Sequence, residues 1–267
     1  MADVGVEGAR FKAATVIRPR LADTRALVAT LAVALAGWIV AMQRMKGMDM
    51  GPGTALGTLP FFMGVWVTMM AAMMLPSALP MVLLFDRVGR ERRAVGQDAT
   101  PTSLFVGSYL LVWAGFGLAA YLVYRGIGLA DLGVLSWDQD GRWFAGGAVA
   151  LAGVFELSPL KHTCLRHCRS PLHYLLGGWR SGRLGALAMG AEHGAYCVGC
   201  CWGLMVILFA LGVMSLTWMA IVTGFVFVQK VLPANVFADR AFACALIACG
   251  LWVALAPGTV PGLVTPM

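Results

Sequence analysis

The stretch His193-Gly194-Ala195-Tyr196-Cys197-Val198-Gly199-Cys200-Cys201-Trp202 places one imidazole and three thiols inside an otherwise apolar run. Side chains of this kind are costly to hold in an apolar helix and are usually kept there for function. Each helical residue turns about 100°. With His193 taken as zero, Cys197 falls at about +40°, Cys200 at about −20° and Cys201 at about +80°, so all four share one side. Cys197 with Cys200, Cys197 with Cys201, and His193 with Cys197 are same-face pairs, each able to grip one soft ion.

A second group lies upstream, in Leu160-Lys161-His162-Thr163-Cys164-Leu165-Arg166-His167-Cys168-Arg169. In a helix, Cys164, His167 and Cys168 meet on one face. The flanking Lys161, Arg166 and Arg169 favour thiolate, the metal-ligating form, over thiol. His162 is a further candidate ligand. No zinc-finger spacing is present, and an ordinary basic juxtamembrane segment reads the same way. Cys244 and Cys249 face different sides of their segment and read as packing cysteines.

Methionine is the second theme, with sixteen residues. Met63, Met70, Met74 and Met81 are spaced 7, 4 and 7 apart, a stripe along ~27 Å of helix. Met69 and Met73 form a neighbouring pair, so Met70, Met73 and Met74 are candidate thioether ligands. Flexible core filling is the competing reading of such a stripe. Pro76 and Pro80 predict a kink that frees a carbonyl near Ala72. Met42, Met45, Met48 and Met50 lie at and beyond the end of the first apolar run. Thioethers bind Cu(I) without deprotonation, whereas Zn²⁺ suits the Cys/His groups but has no use for methionine.

The elements that carry these residues follow from composition. The chain has 267 residues, 60% hydrophobic and 12% charged, about half the charge of a soluble domain. This predicts an all-α, polytopic transmembrane helix bundle. About seven spans are read, near 26–43, 60–84, 103–124, 143–158, 184–211, 214–232 and 241–256. The fourth is short and is expected to extend or tilt. Val33-Ala34-Leu35-Ala36 looks a little like a signal cleavage site. The apolar run continues to Met42, however, and is read as a retained helix.

Sixteen of the twenty basic residues fall on one side of this arrangement, Lys161, Lys230 and Arg240 among them. By the positive-inside rule the N-terminus is cytoplasmic. Residues 1–25 are then a basic cytoplasmic segment, 26–256 one transmembrane domain, and 257–267 a short outer tail. The same rule accounts for the net charge of +7, and no nucleic-acid motif accompanies it, so no nucleic-acid partner is expected. Glu156 near the end of the fourth span is expected to be offset by freed backbone groups or by Lys161. Glu192 is expected to bond a neighbouring helix.

Three segments carry a resemblance to a known family. They are Trp66-Val67-Thr68-Met69-Met70-Ala71-Ala72-Met73-Met74-Leu75-Pro76-Ser77, the run Leu157–Pro171, and His193–Trp202 with Met205 and Met214 beyond it. The chain resembles the bacterial predicted metal-binding integral membrane proteins, whose members are often labelled copper-related. Where many members have Lys-Arg or Lys-Gln, this chain has Lys161-His162. The resemblance implies metal handling in a bacterial inner membrane, without supplying a substrate or mechanism.

Together these features point to a Cu(I)-binding membrane protein, with Zn as the other metal considered, that transports copper or exchanges it with a copper-donating or copper-accepting protein. No ATP-binding motif is present, and no catalytic residue is assigned. Two other readings stand beside it: a membrane thiol-disulfide oxidoreductase using Cys197 and Cys200, and a non-catalytic scaffold subunit.

Overall fold

The computed structural model describes residues 21–45, 56–98, 100–129, 141–170, 175, 177–211, 215–231 and 236–256. Within these residues the chain is all-helical. The helices are α1 (Leu21–Met45), α2 (Leu59–Ala94), α3 (Thr102–Leu129), α4 (Arg142–Glu156), α5 (Pro159–Arg169), α6 (Gly182–Leu211), α7 (Leu216–Val231) and α8 (Val236–Leu255). Met48, Met50, Pro171, Met214 and the tail 257–267 lie outside the described residues.

Every apolar segment expected from the sequence falls on a helix. Five helices (α1, α2, α3, α6 and α8) are long and apolar enough to cross a membrane. The fourth segment behaves differently from the expected tilt. It ends as α4 at Glu156, bends by 66°, and restarts as α5. Local chemistry explains the break. Pro159 opens α5 at a position where its missing N–H costs nothing, and the Ser158 hydroxyl accepts from the Lys161 N–H at 3.2 Å. α7 is apolar but only 16 residues long. α2 runs unbroken through Pro76 and Pro80.

Small residues let the helices approach. A Cβ on Gly146 of α4 would lie 2.8 Å from the Ala254 Cβ of α8, and one on Gly250 would lie 2.6 Å from the Ala150 nitrogen. Close backbone contact of this kind holds apolar helices together where burial against water cannot. α6 packs along α3 in the same way, with Gly190 against the Phe105 carbonyl and Ser108. Outward faces carry Leu31, Leu35, Leu111, Leu122, Phe225 and Leu251, the surface a lipid-facing helix needs.

Polar contacts gather the charged loops at one end. Asp23 at the start of α1 pairs with Arg87 and, at 2.6 Å, with Arg90 near the end of α2. The Arg92 guanidinium lies 5.2 Å over the Trp179 ring, and Ser181 Oγ donates to Gln97 Oε1 at 3.4 Å. Glu192, expected to reach another helix, instead faces Arg180 just before its own helix at 3.5 Å.

Candidate functional site

The single-face prediction for α6 holds: His193, Cys197, Cys200 and Cys201 are all buried. Cys200 Sγ lies 3.3 Å from Cys201 Sγ and 3.2 Å from the Cys197 carbonyl. Cys168, from α5, reaches Cys200 at 3.9 Å and also neighbours Cys197. All of these cysteines are free thiols. One thiol of the upstream group, Cys168, thus meets the thiols of α6.

α5 makes this possible by turning 66° from the line of α4 and packing against α6. Cys164 packs where Gly199 leaves the α6 surface bare, because a Cβ there would sit 2.8 Å from Cys164 Sγ. The bend and the end of α7 are tied by a buried polar network. Lys161 forms an ion pair with Glu156, as the sequence had allowed. Gln229 bridges the pair, donating to Glu156 Oε2 at 2.7 Å and accepting from Lys161 Nζ at 3.0 Å. Arg169, at the far end of α5, donates to the Gln229 carbonyl at 2.5 Å and faces Asp239 at 3.8 Å.

Lys230 is the residue that sequence reading placed elsewhere. It was counted as a loop cation, as was Lys161, yet both are buried. Lys230 Nζ donates to Cys197 Sγ at 2.9 Å and to Ser77 Oγ at 3.3 Å, and lies 3.9 Å from Met74 Sδ. The Ser77 hydroxyl donates onward to the Met74 carbonyl at 2.9 Å. Tyr109 Oη of α3 is 3.0 Å from Cys197 Sγ. Counting cations missed Lys230 because it ends an apolar run, where a basic residue normally marks the membrane surface. The adjacent Gln229, a second polar residue in the same run, was the available signal. Tyr109 gave none.

The other candidates divide. Met74 is tied to the thiols through Lys230, while Met70 and Met73 are fully buried in the same core. His193 lies one turn below Cys197, stacked between Phe105 (ring centroids 6.0 Å apart) and Tyr109 (5.7 Å). His167 does not join the thiols. Its ring stacks on Tyr196 at 4.1 Å, with Nδ1 2.9 Å from the Thr163 carbonyl. His162 is exposed on α5. Cys244 is exposed and Cys249 half-buried on α8.

The donor set suits a soft ion. Bonds of about 2.3 Å to a tetrahedral or trigonal metal separate sulfurs by roughly 3.8–4.0 Å, and the Cys168–Cys200 distance of 3.9 Å matches. Among the described residues no three His, Cys, Asp or Glu side chains already converge on one metal position. The thiols form a connected chain, with an ammonium on one of them.

Comparison with known proteins gives a family and no near relative. No curated protein matches this chain. No solved structure matches it either. A family model described as PpoB2, copper chaperone, matches residues 63–253, a segment that holds every sulfur atom of the group above and Lys230. The chain belongs to the PpoB2 copper chaperone family.

Proposed function

We propose that this chain is an integral membrane protein of seven crossings that binds Cu(I) at Cys168, Cys197, Cys200 and Cys201, with Met74 beside them, and hands it to a partner protein. The observation that carries the reading is the meeting of the half-buried Cys168 thiol of α5 with the buried Cys200 thiol of α6. Soft thiolates and a thioether favour Cu(I) over harder divalent ions, and a water-poor surrounding protects them from oxidation. His193 and Cys164 flank the group, and Met70 and Met73 continue the thioether line along α2. His162 and His167 take part only if α5 turns on its axis.

Five helices are long and apolar enough to cross, up to six with the bent α4–α5 pair as one span; the proposal adds the short apolar α7 as the seventh. With Lys161 and Lys230 set aside as buried, the remaining basic residues still favour a cytoplasmic N-terminus. α5 then covers the cytoplasmic side of the thiols, and copper leaving by that side passes Cys168. The multi-pass location is a bacterial inner membrane. A copper-binding partner is the acceptor or donor, since no nucleotide-driven motor is present in the sequence.

The test is anaerobic binding of Cu(I) to the reduced, purified protein in competition with bicinchoninate. Wild type should hold Cu(I), and Cys197→Ser/Cys200→Ser should lose it. Undiminished binding in the double variant removes the proposal. A stable Cys168–Cys200 or Cys197–Cys200 disulfide trapped from cells would replace it with the oxidoreductase reading.

A further inference from the structure

We infer that Lys230 is the specificity-determining residue of the sulfur group, admitting soft monovalent cations and turning away divalent ones of the same electron configuration. The inference rests on the sulfur group being a metal site, and it concerns the charge of the ion accepted there.

Lys230 is a buried ammonium, and no carboxylate among the described residues lies within ion-pair distance of it. Glu156, the carboxylate of the adjoining network, is already engaged by Lys161 and Gln229. An ammonium has three donors and no acceptor. Here they face a thiol sulfur, a hydroxyl and a thioether. The Ser77 hydroxyl uses its own hydrogen on the Met74 carbonyl, so it can only accept from Lys230. The site is thus built with one fixed positive charge whose natural complement is an anionic sulfur cluster. Charges inside an apolar bundle persist when they are balanced.

Charge balance then discriminates between ions. Cu(I) held by two thiolates carries one net negative charge, which the ammonium cancels. Zn(II) on the same two thiolates is neutral, and the ammonium leaves the site with an unbalanced positive charge. Whatever the number of thiolates, the ammonium acts on the ion in proportion to ionic charge. Its effect on the thiolates themselves is shared by both ions when they displace the same protons, and cancels in the ratio of their affinities. Cu(I) and Zn(II) have the same d-electron count, as do Ag(I) and Cd(II). Each pair isolates charge from electron configuration.

The experiment measures binding of these four ions to the full-length, reduced protein under anaerobic conditions, by competition with chelators of known affinity. It compares wild type with Lys230→Leu, Lys230→Gln and Lys230→Arg. The monovalent-to-divalent affinity ratio should fall about tenfold or more in Lys230→Leu, in both the Cu(I)/Zn(II) and Ag(I)/Cd(II) pairs. Lys230→Gln is the polar alternative should the leucine variant not fold, and it should show the same fall. Lys230→Arg keeps the charge and should stay within roughly threefold of wild type, since the ion senses the charge rather than the head-group shape. An unchanged ratio in the neutral variants overturns the inference while leaving copper binding intact, as does a fall confined to one pair. Absence of Cu(I) binding in the wild type overturns the site reading first and this inference with it.

Discussion

Replacing Glu156 by Gln should destabilise the protein far more than a surface substitution would. Glu156 is 3% exposed and Lys161 is 2% exposed, so neither charge has water to fall back on. In Glu156→Gln the Lys161 ammonium is left with neutral amide oxygens alone, that of Gln229 at 3.0 Å among them. Breaking a buried pair by neutralising one partner costs about 3–5 kcal/mol, most of it from the charge left behind. At the 2–4 °C per kcal/mol typical of chains approaching this size, the apparent melting point should fall by about 10 °C. Lys161→Met should do the same, because it leaves a buried carboxylate facing Gln229 alone. The double variant Glu156→Gln/Lys161→Met removes both charges and should recover more than half of the summed single losses, giving a coupling energy above about 3 kcal/mol in the cycle. Thermal unfolding in one detergent at one scan rate, followed by tryptophan fluorescence, measures all four proteins. Additive single losses, or single variants within about 1 kcal/mol of wild type, would refute the view that this pair joins the α4–α5 bend to α7 as a dry, coupled unit.

Three further outcomes are expected. Cys168→Ala should weaken Cu(I) binding by about tenfold or more, whereas Cys164→Ala, whose sulfur packs against Gly199 rather than reaching Cys200, should change it by less than about threefold; chelator competition separates them. Gly250→Val should cost about 1–3 kcal/mol or more in thermal unfolding, since the added Cβ meets the backbone of Ala150 and Gly146 and no rotamer relieves it. Gly64→Ala, with open space around its Cβ on α2, should be neutral or stabilising by about 0.5–1 kcal/mol in the same assay.

Helix phase made part of the site legible. The 100° step alone placed His193, Cys197, Cys200 and Cys201 on one side, and burial of all four agrees. It also put Cys164, His167 and Cys168 on one face of α5, but phase says nothing about height. The three land against different residues of α6, and only Cys168 meets the thiols. Charge counting failed at Lys161 and Lys230 for a related reason. Both lie at ends of apolar runs, where a sequence cannot distinguish a side chain reaching for water from one turning inward. What turned them inward are partners distant in the chain: Gln229 for Lys161, and Ser77, Met74 and Cys197 for Lys230. The packing of α4 on α8 was equally hidden, because glycine in an apolar run signals close approach only once its partner helix is known.

The parts of the sulfur group come from widely separated stretches of chain, and this bears on the order in which the protein is made. Met74 and Ser77 emerge first, Cys168 much later, then Cys197, Cys200 and Cys201, and Lys230 last. Until α7 has been synthesised and has folded back, the thiols lack their counter-charge and Gln229 is not there to anchor α5. A nascent chain therefore presents loose cysteines but no finished cradle. The sulfur group and its counter-charge are completed late, and a product truncated before α7 would carry the cysteines without Lys230.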